Sequence, residues 1–235
     1  MNEKVVLAAS KLNVGYGDVP VVRNVDLEVR RGEVVVLLGA NGAGKTTTLR
    51  CLAGVLTHGA GTVHLKGTKT RQPLHKRARQ GLGFVSDERS VIMGLTVAEN
   101  IRLAGVSAET VYARFPGLEA RAGTKAGLLS GGEQQMLTLA RLLARGPDVL
   151  LADEVSLGLA PLIVRQLLRA IREAADSGLA ALIVEQHVRQ ALEFADRAYV
   201  MRRGEVVFSG TADECHSRLD EIERSYLGAV SAMED

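Results

Sequence analysis

The sequence has no tryptophan, and tyrosine and phenylalanine together make up only 3% of its 235 residues. That scarcity bears on its one basic stretch, Lys66, Lys69, Arg71, His75, Lys76, Arg77 and Arg79, which contains no aromatic to stack on a base. The stretch therefore reads as a solvated surface strip, and with a net charge of only +2 no nucleic-acid partner is expected. Cysteine is nearly absent too: Cys51 and Cys215 lie far apart, without a CxxC pair, and read as reduced thiols. No apolar run approaches the roughly 20 residues that span a bilayer, and the opening MNEKVVLAAS lacks a signal-peptide core. The expectation is a cytoplasmic chain, held at a membrane only by partners. Five prolines, 46% hydrophobic and 24% charged residues exclude disordered and fibrous classes and suit one globular α/β domain over 1–235.

What is present alternates between strand and helix. Val21–Val29 and the apolar run Glu33–Leu38 read as strands, as does Thr62–Lys66, and the pattern turns helical from Lys45 to about Leu56. Residues 87–128 are more polar and broken by glycines, with short helical stretches at Val97–Leu103 and Ala108–Arg114, which predicts a small helical subdomain. A helix over Gly132–Arg145, a buried strand at Val149–Ala152 and a helix opening at Pro161 follow, the last with Val164, Leu167, Leu168 and Ile171 on one face. Ala180–Val184 is a further strand, Ala198–Met201 with Glu205–Phe208 reads as a hairpin, and short amphipathic helices and an acidic end begin at Thr211. Such alternation implies a mainly parallel sheet, preceded by an antiparallel β subdomain.

The sharpest chemical signal is Gly39-Ala40-Asn41-Gly42-Ala43-Gly44-Lys45-Thr46, between the strand at Glu33–Leu38 and a helix that continues through Thr47. Glycines at this spacing let backbone N–H groups turn around phosphates, and the helix offers its positive end. Lys45 would neutralise the β and γ charges, and the Thr46 hydroxyl is a magnesium ligand. Val149 to Ala152 ends in Asp153-Glu154, which puts two carboxylates at the sheet's carboxyl edge. Asp153 reads as the magnesium carboxylate and Glu154 as the general base for an attacking water. ATP and Mg2+ are the expected ligands of this P-loop NTPase pattern.

Leu129-Ser130-Gly131-Gly132-Glu133, standing before the acidic strand, resembles the signature of ATP-binding-cassette proteins. The resemblance implies that two cassettes pack head to tail, with Ser130, Gly131 and Gly132 of one gripping the γ-phosphate held by Lys45 of the other. It also implies that Tyr16, 29 residues before Lys45, stacks on adenine, and that His187 is the switch histidine near the γ-phosphate. Two positions depart from the pattern. Asp87 stands where the family's Q-loop has glutamine, an acid that can still serve magnesium or its water, and Ala160 stands where many D-loops have aspartate.

LSGGEQQM at Leu129–Met136, Ser156-Leu157-Gly158-Leu159-Ala160-Pro161 and Val184-Glu185-Gln186-His187 are similar to the ATP-binding subunits of branched-chain amino-acid importers, although Val155 and Ser86-Asp87-Glu88-Arg89 differ from them. The partners so implied are a second cassette, identical or a sister subunit, membrane permeases, and an extracytoplasmic solute-binding protein acting indirectly. A non-transport cassette ATPase acting on nucleic acid or ribosomes is the alternative; its relatives usually carry two cassettes or a long coiled-coil insertion, and 235 residues hold neither.

Overall fold

The computed structural model describes residues 5–86, 88, 90–219 and 221–222, so the acidic end expected after Thr211 lies largely outside the described residues. The chain opens on β1 (Val5–Tyr16) and β2 (Val19–Arg30), an antiparallel pair with several bulges. Next come β3 (Val34–Leu38), α1 (Lys45–Ala53), β4 (Ala60–Leu65), β5 (Thr68–Thr70), α2 (Leu74–Arg79) and β6 (Leu82–Val85). Three short helices follow, α3 (Val97–Leu103), α4 (Ala108–Arg114) and α5 (Pro116–Glu119), then α6 (Gly131–Leu143). The remainder is β7 (Val149–Asp153), α7 (Pro161–Asp176), β8 (Ala180–Val184), α8 (Val188–Leu192), the antiparallel pair β9 (Arg197–Arg202) and β10 (Glu205–Thr211), and α9 (Ala212–Ser217).

The strands form two sheets. One is antiparallel, in the order β2-β1-β4-β5; the other runs β10-β9-β3-β8-β7-β6 and is parallel except for β10. β3, β7 and β8 are buried at every position because both faces of the parallel sheet are covered, the condition under which such strands read as unbroken apolar runs. Val35, Leu37, Leu151 and Leu182 face one core with Leu49 and Leu52 of α1 and with Leu7 and Val63 of the antiparallel sheet. Leu150, Ala152, Ala181 and Ile183 face the other core, with α6 and α7. Val164, Leu167, Leu168 and Ile171 are all buried there, as the helical spacing predicts, each worth about 1.5–3 kcal/mol of transfer free energy. Ile101 of α3, Val111 of α4 and Leu118 of α5 extend the same core.

Three local expectations change. Gly117, one of the glycines expected to break residues 87–128, lies inside a helix instead: Pro116 occupies the first turn of α5, where its missing N–H costs nothing. The basic stretch is not wholly a surface strip either. Arg77 is 2% exposed and donates from Nε to the Gln72 carbonyl at 2.7 Å and from Nη1 to the Cys51 and Leu52 carbonyls at 3.0 and 2.5 Å. It closes the carboxyl end of α1, whose last carbonyls have no partner within the helix. Lys66 also leaves the expected strand, taking a left-handed φ of 51° in the turn after β4 and pairing with Asp148 at 2.6 Å.

Candidate functional site

The site is assembled at the carboxyl ends of β3, β7 and β8, which lie side by side in the order β3-β8-β7. β3 leaves the sheet through Gly39, whose φ of 155° and proximity to Met201 admit no side chain: a Cβ there would lie 2.4 Å from the Met201 carbonyl oxygen. The loop then turns through Ala40, Asn41, Gly42 and Ala43 and enters α1 at Gly44, a left-handed N-cap with no side-chain cap bond and no acid in the first turn. The contrast with α3, α6 and α9, which all begin with a reciprocal capping box, is informative. The amino end of α1 keeps its positive pole uncompensated by any side chain of its own first turn, the arrangement that receives phosphate.

Lys45 is 4% exposed, and its ammonium donates to the Gly39 and Ala40 carbonyls at 2.7 and 3.1 Å. Burial pulls its pKa below the usual lysine range, against Glu154, Asp153 and Glu185, which pull it up. The next residue, Thr46, donates its hydroxyl to Asp153 Oδ1 at 3.0 Å, which joins the loop to the end of β7. Thr47 is buried in the first turn of α1. A hydroxyl beside a buried carboxylate is an all-oxygen donor pair suited to a hard divalent cation such as Mg2+.

Glu154 follows β7 with φ 47°, a left-handed backbone that non-glycine residues rarely adopt. Its N–H donates to the Val184 carbonyl at 3.0 Å, which carries the β7–β8 ladder one residue past β7. Its carboxylate accepts from Gln186 Nε2 at 2.8 Å and opens on a cleft of roughly 410 Å³ that Met93, Gln135, Val155, Leu157 and Leu159 also line. Beside it, Glu185 is 2% exposed and accepts from the Ser156 N–H at 3.2 Å and from the Ser156 hydroxyl. Burial, aided by the Glu154 charge, pushes Glu185 up to about 7 in spite of those Ser156 bonds.

The structure thus gathers Gly39 to Thr47, Asp153 and Glu154 at one edge. Tyr16, 51% exposed, ends β1 opposite Val19 in the hairpin that continues into Val21, and a Cβ on Gly44 would lie 3.2 Å from the Val21 carbonyl oxygen. The tyrosine hairpin therefore passes beside the glycine loop. Ser130, Gly131 and Gly132 stand elsewhere, at the amino end of α6. Ser130 and Glu133 cap one another, and Gly132 permits close packing on α7, where a Cβ would meet Ile163 Cγ2 at 2.9 Å. Asp87 lies outside the described residues. His187 is exposed at the N-cap of α8 and has no side-chain partner among the described residues. Gln186 and Glu185 are the additions that sequence reasoning missed; position after an apolar strand was the available signal, but it cannot say which of three consecutive polar residues turns inward.

Comparison with known proteins agrees with this geometry. The ABC transporter family profile matches residues 22–156. The chain is 37% identical over 95% of its length to the whole of a high-affinity branched-chain amino acid transport ATP-binding protein, BraG, of Pseudomonas aeruginosa. It is 36% identical over 94% of its length to 97% of the lipopolysaccharide export system ATP-binding protein LptB of Escherichia coli. A solved ATP-binding subunit of an ABC transporter, 26% identical, superposes over 94% of this chain and 99% of its own with a TM-score of 0.80. Among the described residues no helix is long and apolar enough to cross a membrane. With a phosphate loop, a paired carboxylate strand and relatives matched along nearly their whole length, this chain belongs to the ABC transporter family, as an ATP-binding subunit that hydrolyses ATP.

Proposed function

We propose that this subunit powers import of branched-chain or related apolar amino acids, as one of two cassettes at the cytoplasmic face of a membrane. The observation that carries the catalytic part is the Thr46–Asp153 bond at 3.0 Å, which sets the phosphate loop against the strand that delivers Glu154. Gly39 to Thr47 hold the triphosphate, with Lys45 on the β and γ groups, and Tyr16 supports the adenine. Thr46 and Asp153, with Asp87 as a further oxygen donor, would hold Mg2+, which when bound neutralises phosphate charge. Glu154 takes the proton of a water whose oxygen bonds to the γ-phosphorus as the bond to the ADP oxygen breaks. Ser130, Gly131 and Gly132 serve the nucleotide of the second cassette, and residues 87–128 act as the helical subdomain of a single cassette domain over 1–235, facing the permeases.

The solute rests on the near-complete match to BraG, together with the SLGLAP and VEQH stretches; the LptB match stands at almost the same identity, so export of a lipid is the competing outcome. Replacing Lys45 with alanine in the source cells should abolish uptake of labelled leucine, isoleucine and valine. Uptake that persists overturns the solute. A tagged Glu154→Gln chain, expected to retain ATP without turning it over, should recover permeases and a second cassette from detergent-solubilised membranes; recovery of soluble or nucleic-acid partners alone overturns the transporter assignment.

A further inference from the structure

We propose that the exposed face of β5 and α2, carrying Lys69, Arg71, Lys76 and Arg79, rests on anionic phospholipid headgroups beside the permeases. The inference rests on the position at a membrane proposed above. Between Glu33 and Asp87 the chain contains no acidic residue, although the whole sequence holds 27. Three cations of that stretch are engaged internally: Lys45 in the phosphate loop, Lys66 with Asp148, and Arg77 at the end of α1. Lys69, Arg71, Lys76 and Arg79 are exposed, and none forms an ion pair among the described residues. Lys76 and Arg79, three residues apart, share with His75 the face of α2 opposite the buried Arg77. Lys69 and Arg71 flank the buried Thr70. Burial, and then the charges of Arg71, Arg77 and Lys69, hold the His58 imidazole below its ordinary pKa, so the cations of β5 and α2 gather about one point.

This face is separate from the nucleotide site. Arg77 ties α2 to the far end of α1, a helix of 9 residues and about 13 Å that begins at Lys45. It does flank the 87–128 subdomain, from which only β6, 4 residues and about 13 Å long, separates it. The chemistry selects headgroups over other polyanions. No aromatic stands between Lys66 and Arg79 to stack on a base. Cytoplasmic loops of membrane proteins carry excess lysine and arginine, so this face meets like charge on a permease and opposite charge on an anionic leaflet. Val55, 49% exposed, adds an apolar contact at its edge, since the Gly54 carbonyl before it accepts from the Leu74 N–H at 3.0 Å. Such a patch is a reversible signal added to the permease contact, not an anchor by itself.

The test is flotation of the full-length chain with phosphatidylcholine vesicles, with and without roughly one-third phosphatidylglycerol. Each cation at an anionic surface favours binding about fivefold. Lys69→Gln, Arg71→Gln, Lys76→Gln and Arg79→Gln together should therefore lower partition onto the anionic vesicles by about tenfold or more in about 0.1 M salt, where charges act over about 10 Å. Thermal melting, kcat and KM for MgATP should be unchanged, because none of the four touches the nucleotide site. The unaltered chain should lose its preference for anionic vesicles in about 1 M salt, where that reach falls to about 3 Å. Glutamine at Arg114, Arg165, Arg169 and Arg202, exposed elsewhere, makes the same change in net charge and should cost less than about threefold. The proposal is overturned if anionic vesicles bind no better than neutral ones, if the two quadruple variants lose alike, or if a labelled single-stranded oligonucleotide binds through the four residues and vesicles do not. Recovery of permeases by Glu154→Gln while the vesicles discriminate nothing would sink this surface alone. Vesicle binding with no permease recovered would sink the transporter assignment and leave the surface standing as a membrane contact.

Discussion

Arg77→Ala tests whether a cation inside a basic stretch can be a core residue. The guanidinium donates to three carbonyls, two of them in the last turn of α1, and only 2% of the residue is exposed. Hydrogen bonds from a charged donor contribute about 1.5–3 kcal/mol each, and acceptors left dry cost about 1–3 kcal/mol. Water entering the truncated site recovers part of this, so the expected loss is about 3–5 kcal/mol, in line with removing one partner of a buried charge. For a chain of this size that lowers the melting temperature by roughly 6–20 °C. Urea and thermal unfolding of the full-length chain measure it directly. Arg79→Ala, two residues on at an exposed position, should stay within about 0.5 kcal/mol. Arg77→Lys, which keeps the charge but loses the fork, should recover only part of the loss. If Arg77→Ala costs less than about 1 kcal/mol, the buried cap contributes nothing and the reasoning fails.

Two further outcomes follow from the electrostatics and capping. Burial raises Glu185 from its ordinary 4.5 to about 7. A carboxyl raised in the folded state contributes stability that is full below about pH 4.5 and is lost as the pH climbs through about 7. Glu185→Gln should therefore flatten the pH dependence of unfolding across that window, and an unaltered slope counts against the burial that raises this carboxyl. Ser130→Ala removes half of a capping box and should cost about 1 kcal/mol by melting. Ser130→Asp should restore that stability without restoring turnover; recovery of both would mean that the serine acts only as a cap.

Much of this architecture was legible because the chemistry is periodic. β3 and β8 are apolar at every position and β7 at all but its final Asp153, and α7 repeats its buried residues at helical spacing, so both element types announce themselves. The phosphate loop is legible for a different reason: Gly39, Gly44 and Lys45 are constrained by backbone geometry and charge at fixed separations. What the sequence conceals is direction and long-range order. Nothing in a run of arginines and lysines marks Arg77 as the one that turns inward, since its partners are backbone carbonyls, which every residue carries. Likewise Glu185, Gln186 and His187 are all polar, and which of them meets Glu154 depends on the twist at the end of β8. The neighbours of β3 come from far along the chain, and no local pattern encodes that order.

The left-handed backbone of Glu154 carries a cost of about 1 kcal/mol that glycine would not incur. Selection for a sturdier fold alone would replace this glutamate, removing both the strained Cα substituent and a carboxylate crowded by Glu185. The chain thus carries backbone strain at the residue proposed as its general base, and variants recovered for thermal resistance without an activity screen should accumulate there, folded and inert.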